Sequence, residues 1–126
     1  GHSFKFVEGH YQRDEGFKQS RIYDMFRFIK EKGLSREIAK KMMPFVYTNA
    51  EMDFEQILGK IHYIPVEKDK LIQQIPDLNK QYDQIRHSKN AHGKTDWIMG
   101  QLHTRALGNM PLYELRNEIE RMEPNL

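Results

Sequence analysis

The sequence predicts an all-α protein, a compact bundle of about six or seven short helices arranged in two lobes. Apolar residues recur at helical spacing through most of the chain, and Gly, Ser, Asn and Pro separate the periodic segments. No segment shows the sustained alternation, rich in Val, Ile and Thr, that is typical of a strand. The 126 residues suit one domain, with residues 1–18 as an N-terminal arm and residues 19–124 as the helical domain.

The first two helices are predicted between Gln19 and Pro44. Their inward positions are Ile22, Met25, Phe26 and Ile29 in the first helix and Ile38, Ala39, Met42 and Met43 in the second. Gly33 fits the C′ position that ends the first helix, and Ser35 is expected to cap the second. Because proline lacks a backbone N–H, Pro44 is expected to end or kink that helix.

Three further short helices are predicted in the middle of the chain, at about residues 51–61, 66–74 and 77–87. Asn49 is the expected cap of the first of these. Ile64-Pro65 marks a boundary, because the residue before a proline avoids the α region, and Pro76 marks another. Ile85 is predicted among the apolar positions of the helix at 77–87.

The last two helices follow a polar connection at about residues 88–94. Thr95 is the expected cap of the first of them, and Gly108 is expected to close it. Asn109 and Pro111 then open the last helix, whose apolar side carries Leu112, Leu115, Ile119 and Met122. Gly100 interrupts a helix interior, at a cost of about 1 kcal/mol relative to Ala. Close packing of another helix is the favoured reason, and approach of a nucleic-acid backbone is the alternative.

The N-terminal arm interleaves aromatic and basic residues: Phe4, Lys5, Phe6, Tyr11, Arg13, Phe17 and Lys18. Such residues can stack on unpaired bases, but they more often anchor an arm onto a domain, and the anchoring interpretation is favoured. Gly1 and His2 are consistent with the remnant of an expression tag.

Composition excludes several classes of site. The chain has no cysteine, which rules out disulfides, thiolate zinc sites and cysteine nucleophiles. Reducing cytosol is the natural compartment for such a chain, and no long apolar run predicts a membrane span. No nucleophile elbow, glycine-rich phosphate loop or apolar carboxylate pair suggests catalysis. His87, His92 and His103 do not have the spacing of helical metal ligands, so no metal site is predicted.

The stretch from Arg86 to Arg105 is the most distinctive segment for function. It carries four basic residues and one acid, namely Arg86, Lys89, Lys94, Arg105 and Asp96, together with the three histidines. Basic groups on a loop that leads into a helix N-terminus suit phosphate oxygens. Ordinary solvated surface charge is the other interpretation, and the formal net charge of only +2 does not choose between them.

Several segments together resemble the GatB/YqeY tail-domain family. They are Lys32 to Lys40, then Gly93-Lys94, Ile98-Met99-Gly100-Gln101, Thr104-Arg105, Gly108-Asn109 and Pro111. Their order and spacing match the family over about residues 22–122. His103 stands where the family often has Met, Ala106-Leu107 lengthens the turn before Gly108, and the arm has no counterpart.

The resemblance implies the C-terminal tail of a B or E subunit of a glutamyl-tRNA(Gln) or aspartyl-tRNA(Asn) amidotransferase, or a YqeY-like protein. Such a domain is non-catalytic and binds tRNA, and its partners are an amidase subunit or an aminoacyl-tRNA synthetase. It holds no cofactor, since ATP and magnesium act elsewhere in that ligase complex. The expected tRNA contacts are Arg86, Lys89, Lys94, His103, Arg105, Lys40 and Lys41. The expected structural positions are Gly33, Ser35, Gly93, Gly100, Gly108 and Pro111.

Two rival functions remain open at this point. A protein-interaction module would dock its helices on a synthetase or an amidase subunit, with the arm as a clasp. An enzyme would require a pocket that brings His87, His92 or His103 beside an acid.

Overall fold

The computed structural model describes residues 7–85 and 93–122. Within these ranges it contains a helical turn at 7–10, a 3₁₀ turn at Arg36–Ile38, seven α-helices and no strand, so the predicted all-α class is confirmed. The helices are α1 (Ser20–Lys32), α2 (Ala39–Thr48), α3 (Phe54–Lys60), α4 (Lys68–Gln73), α5 (Ile75–Gln84), α6 (Gly93–Ala106) and α7 (Leu112–Arg121). None of these is both long enough and apolar enough to cross a bilayer.

The chain divides into two units, Gly1–Tyr63 and Ile64–Leu126. The division coincides with Ile64-Pro65, which the sequence predicts only as a boundary between helices. Each unit has a hydrophobic core of its own, and the two cores are described separately below.

The core of the first unit comes from α1, α2 and α3. Its fully buried members include Met25, Ile38, Met42, Val46 and Ile57. Phe17 of the arm is also buried, with its ring centroid 5.1 Å from that of Tyr47. The anchoring interpretation is therefore confirmed for Phe17, whereas Tyr11 is 42% exposed. Phe4, Lys5 and Phe6 lie outside the described residues.

Two charged side chains of the first unit bond to the main chain. Asp14 accepts hydrogen bonds from the backbone N–H groups of Gly16 (3.0 Å) and Ala50 (2.7 Å), and these two bonds hold its pKa below the ordinary value. Arg21 donates to the carbonyl oxygens of Val46 (3.4 Å), Asn49 (3.3 Å) and Met52. Partial burial lowers the pKa of Arg21. These bonds connect the arm and α1 to the end of α2.

The end of α1 is as predicted. Gly33 has a left-handed backbone with φ of 75°, and its N–H bonds to the carbonyl oxygens of Ile29 and Lys30. The N–H of Leu34 bonds to the Ile29 carbonyl at 2.9 Å, which completes a Schellman end.

The predictions for the following helices are confirmed only in part. Ser35 stands at the N-cap position of the 3₁₀ turn that leads into α2, but its side chain makes no capping bond, and its hydroxyl donates to Glu37 at 3.2 Å. Pro44 does not end α2, which continues to Thr48, four residues beyond it, so the alternative that it kinks the helix stays a prediction. Asn49 ends α2 rather than capping α3. The cap of α3 is Asp53, which forms a capping box with Gln56.

The second unit packs α4 to α7 around a core of its own. Its fully buried residues are Leu71, Ile75, Ile98, Leu102, Ala106, Met110, Leu115 and Ile119. Pro76 lies in the first turn of α5, where a missing N–H costs nothing, and Gln74 separates α4 from α5. The predicted apolar role of Ile85 is wrong, because α5 ends at Gln84 and Ile85 is 42% exposed.

The ends of α6 and α7 show one further error. Thr95 does not cap α6, because the helix begins at Gly93 and Thr95 is buried inside its first turn. Gly108 has φ of 87° in the turn after α6, as a closing glycine requires. Pro111 stands at the N-cap position of α7 with extended backbone.

Asn109 joins the extended start of the second unit to the turn between α6 and α7. Its Nδ2 donates to the carbonyl oxygens of Ile64 (2.9 Å) and Arg105 (2.8 Å). Its Oδ1 accepts the N–H of Val66 at 3.0 Å. The side-chain amide therefore pairs with Ile64 and Val66 in the way that a neighbouring peptide group would.

Candidate nucleic-acid interface

The predicted phosphate-binding stretch is described only in part. Arg86, His87, Lys89 and His92 lie outside the described residues. Lys94, Asp96, His103 and Arg105 all belong to α6 in the second unit, whereas Lys40 and Lys41 belong to α2 in the first.

Lys94 is engaged within the fold. Its ammonium lies 2.9 Å from a carboxylate oxygen of Asp83 and 5.8 Å from the centroid of the Tyr82 ring, and its side chain is only 11% exposed. A phosphate group at Lys94 would therefore have to compete with Asp83.

Arg105 and His103 are both exposed on α6. The guanidinium of Arg105 donates to the side-chain oxygen of Gln74, an uncharged partner that leaves the positive charge of Arg105 uncompensated. These two residues keep the exposure that the predicted phosphate contact requires.

Gly100 lies on the exposed side of α6, and the favoured explanation for it is wrong. A Cβ atom built at Gly100 meets no atom within 4 Å, so no neighbouring helix of the described chain requires a glycine there. Gln101, His103 and Thr104 are exposed with it. We call these four residues the outer face of α6. It leaves backbone accessible to a second molecule.

The ionic side chains around α6 and α7 are largely paired with one another. Arg116 donates to Asp96 at 2.7 Å and lies 3.6 Å from Glu120, and its bond to Asp96 raises its pKa above the ordinary value. Two further pairs of the second unit are Lys68 with Glu114 and Arg121 with Glu118.

Most of the described cations of the first unit have no carboxylate partner among the described residues. Within the described residues, no carboxylate lies within ion-pair distance of Lys30, Arg36, Lys40 or Lys41, and all four are exposed. Sequence reasoning found Lys40 and Lys41 but missed Lys30 and Arg36. The spacing in the sequence could have indicated both residues. Lys30 follows Tyr23 by seven residues and Arg36 precedes Lys40 by four, and both spacings place the two members of a pair on the same side of a helix.

Tyr23, Lys30 and Arg36 form what we call the α1 cationic face. Tyr23 and Lys30 are two turns apart on α1, about 20° from each other around the helix axis. The guanidinium of Arg36 lies 5.0 Å from the centroid of the Phe26 ring, one turn before Lys30. Lys40 follows one turn after Arg36. Tyr23 is 75% exposed, so the face combines free positive charge with an accessible aromatic ring.

The division of charge along the chain agrees with these contacts. Residues 1–63 contain eleven Lys and Arg against nine Asp and Glu, and residues 64–126 contain nine of each kind. The whole formal excess of positive charge therefore lies in the first unit.

The histidine-based alternatives gain no support from the described residues. Among them, no group of three or more His, Cys, Asp or Glu side chains could hold a metal ion. Two of the surface depressions of the described chain have no histidine in their lining. One lies beside Pro65, Val66, Glu67, Lys70 and Asn109, and the other beside Asp14, Asn49, Glu51, Met52 and Gln56.

Comparison of the chain with protein-family models, with curated proteins and with solved structures gave no match in any of the three.

Proposed function

We propose that this chain is a non-catalytic tRNA-binding domain, the helical tail of a B or E subunit of a tRNA-dependent amidotransferase or a close relative of that tail. The observation that carries the proposal is the set of exposed cations of the first unit that have no carboxylate partner within the described residues. tRNA as the particular nucleic acid comes from the resemblance of residues 22–122 to the GatB/YqeY tail-domain family.

Free cations matter because binding to nucleic acid is driven largely by the release of counterions from phosphates. A lysine already paired with a carboxylate brings little net charge to a phosphate. Lys30, Arg36, Lys40 and Lys41 have no such partner within the described residues. Arg105 and His103 of the second unit add exposed donors, and Arg86 and Lys89 remain proposed contacts from the sequence.

Such a surface would contact the sugar-phosphate backbone of the nucleic acid and would not distinguish its base sequence. Arginine and lysine contacts to phosphates fix the register of a nucleic acid without specifying its bases. The A-form major groove is too deep and narrow for side chains, so duplex regions of tRNA would be held by shape and backbone. The domain would then position the body of a tRNA while chemistry proceeds elsewhere in the complex.

The test is a titration of tRNA against the full chain at several salt concentrations. We expect the logarithm of the association constant to fall with the logarithm of salt, at a slope of about −0.7 to −0.9 for each phosphate contacted. The double variant Lys40→Gln/Lys41→Gln is expected to bind more weakly and to reduce the slope by about one to two. Lys89→Ala/Lys94→Ala tests the contribution of the other stretch.

A matched control is available in the second unit. Lys70 and Lys80 are exposed and have no ion pair within the described residues, so Lys70→Gln/Lys80→Gln removes the same charge elsewhere. The proposal fails if tRNA does not bind at low salt. It also fails if the control double variant weakens binding as much as Lys40→Gln/Lys41→Gln does, because only total charge would then matter.

A protein-docking function has one observation in its favour, the outer face of α6. Gly100 allows a second backbone to approach a helix whose charged neighbours Asp96 and Arg116 already neutralise each other. Gly100→Leu fills that space with a side chain exposed to solvent. The docking function predicts that Gly100→Leu weakens binding of the amidase subunit or synthetase and leaves tRNA affinity unchanged. Unchanged affinity for both proteins would remove it.

A further inference from the structure

One aromatic side chain on the α1 cationic face has no structural task within the described chain. Tyr23 is 75% exposed, and no hydrogen bond or ring contact was found for it there. Burial of aromatic surface is among the larger favourable contributions to folding, so a ring left in water gives that contribution up. Tyr23 belongs neither to the hydrophobic core of the first unit nor to the residues packed against that core.

The surroundings of Tyr23 are cationic on one side. At about 100° per residue, Lys30 lies about 20° from Tyr23 around the axis of α1, and Phe26 lies about 60° away on the same side. Arg36 covers the Phe26 ring, so positive charge continues along that side. The acids of α1 that are also exposed, Asp24 and Glu31, lie about 80° to 100° away on the opposite side.

We propose that Tyr23 is a stacking platform for an unpaired base of the bound RNA, with Lys30 and Arg36 contacting the phosphates beside that base. An aromatic ring accepts any base on its π-face, while adjacent cations follow the sugar-phosphate backbone. This inference rests on the proposed function and deepens it. The preferred region of the RNA is a loop or single strand rather than a fully paired helix.

A second exposed tyrosine provides the comparison. Tyr113 of α7 is 69% exposed, almost as much as Tyr23. Its neighbour one turn along, Arg116, is already paired with Asp96 and Glu120. An RNA chain would find little uncompensated charge beside Tyr113. Exposure of a ring alone therefore does not define the site, and the unpaired cations distinguish Tyr23.

The experiment measures affinity of the full chain for two RNA probes of equal length, an unstructured 12-mer and a blunt 12-base-pair duplex. Tyr23→Ala is expected to weaken binding of the single strand roughly 5- to 150-fold, the range measured for loss of one base stack. Tyr23→Phe keeps the ring and should retain the affinity. Tyr113→Ala is the matched control and should leave it unchanged. Thermal unfolding of each variant verifies that the fold is kept.

A 2-aminopurine base in the 12-mer adds a direct readout, because stacking quenches its fluorescence. We expect quenching by the wild type and by Tyr23→Phe, and its loss with Tyr23→Ala. A purely structural role of Tyr23 would not produce this pattern.

The possible failures are distinguishable. If both probes bind equally and Tyr23→Ala matches the wild type, the stacking site is overturned, while salt-dependent tRNA binding through Lys40 and Lys41 still stands. If neither probe nor tRNA binds at low salt, the proposed function and the stacking site both fall. If Tyr23→Ala weakens binding of the amidase subunit but not of RNA, Tyr23 belongs to a protein contact and the proposal is wrong.

Discussion

The two units of this chain use their charged side chains in different ways. In the first unit, Asp14 and Arg21 bond to main-chain groups, and most of the remaining cations have no carboxylate partner within the described residues. In the second unit, charged side chains mainly bond to one another, as Lys94 does to Asp83 and Arg116 to Asp96. Lys32 with Glu55 is an exception in the first unit.

The difference concerns the electrostatic field more than stability. Exposed ion pairs contribute only about 0 to 1 kcal/mol each to folding, so the exposed pairs of the second unit, such as Arg116 with Asp96, do little to hold it together. Their larger effect is to cancel the charge that an approaching polyanion would meet. Lys40 and Lys41 of the first unit have no ion-pair partner within the described residues, which supports their place in the proposed tRNA surface.

A second difference lies in the side chain that each unit uses to hydrogen-bond its non-helical segments to the helices. The first unit uses a cation, Arg21, which gathers three carbonyl oxygens near the end of α2. The second unit uses a neutral amide, Asn109, which bonds to Ile64, Val66 and Arg105. Substitution at each position tests whether the two fastenings act on separate units. Trp97, the single tryptophan of the chain, reports on the second unit by fluorescence.

The largest effect is expected for Asn109→Ala. The substitution removes three hydrogen bonds and leaves the N–H of Val66 without its acceptor, at about 1 kcal/mol for each bond. We expect a loss of about 3 kcal/mol in the free energy of unfolding, measured by urea titration with Trp97 fluorescence. Asn117 is exposed on α7, so Asn117→Ala is the matched control and should change stability by less than about 0.5 kcal/mol. Equal losses for the two variants would contradict the fastening role.

Arg21→Gln is expected to have the next largest effect. A glutamine cannot reach three carbonyl oxygens at once, and the cation over the Phe54 ring, 5.0 Å from its centroid, is also lost. We expect a loss of about 2 kcal/mol, followed by far-UV circular dichroism. Arg27→Gln on the same helix removes an equal charge that has only a 4.0 Å contact with Asp24, and it should be nearly neutral. A shift of the Trp97 transition by Arg21→Gln would show that the two units unfold together.

The helices could be predicted because their signals are local. Met25 and Ile29 are buried where the 3.6-residue period puts them, and Gly33 adopts the left-handed backbone that its position after α1 suggests. Caps were harder, because the Ser35 hydroxyl bonds to the carboxylate of Glu37 two residues later and Thr95 lies inside α6 rather than before it. The capping box of Asp53 and Gln56 was legible as an acid followed three residues later by a glutamine, and it was missed.

The candidate site could be predicted less well, because charge pairing depends on tertiary neighbours. Lys94 and Lys40 look alike in the sequence, yet Asp83 of another helix neutralises the first, and no acid of the described chain does so for the second. The packing explanation predicted for Gly100 was also wrong, because it too depends on tertiary neighbours. The spacing placed it inside a helix, but only the folded chain reveals that its side of α6 is open.

Substitution of the helical glycines by alanine is expected to change the free energy of unfolding by a smaller amount and to increase it. A Cβ at Gly100 or at Gly59 meets no atom within 4 Å, and neither has a positive φ. Gly100→Ala is therefore expected to raise the free energy of unfolding by about 0.5 to 1 kcal/mol, and Gly59→Ala by less, because it lies at the end of α3. Gly33→Ala is the control of opposite sign, since its φ of 75° strains any side chain. Destabilisation by Gly100→Ala would indicate a close contact that the open face does not predict.

The smallest effect is expected at Asp14, and it is confined to a range of pH. Its bonds to the N–H groups of Gly16 and Ala50 lower the pKa of the folded state below the unfolded value of about 3.9. The stabilisation is therefore present above that unfolded value and is lost as pH falls through the folded pKa. Asp14→Asn should lower the melting temperature near neutral pH, and the difference from wild type should shrink once the pH falls below about 4.

Asp24→Asn, on an exposed carboxylate with no bond to the main chain in the described structure, is the control for this titration. A difference between wild type and Asp14→Asn that stays constant from neutral pH into acid would contradict the assignment. If the difference disappears in acid, the first unit depends on a carboxylate held by backbone N–H groups. Several acids of the second unit bond instead to cations, as Asp96 does to Arg116. The stability difference between wild type and Asp96→Asn should become smaller as salt is added, because salt screens the ion pair that the substitution removes.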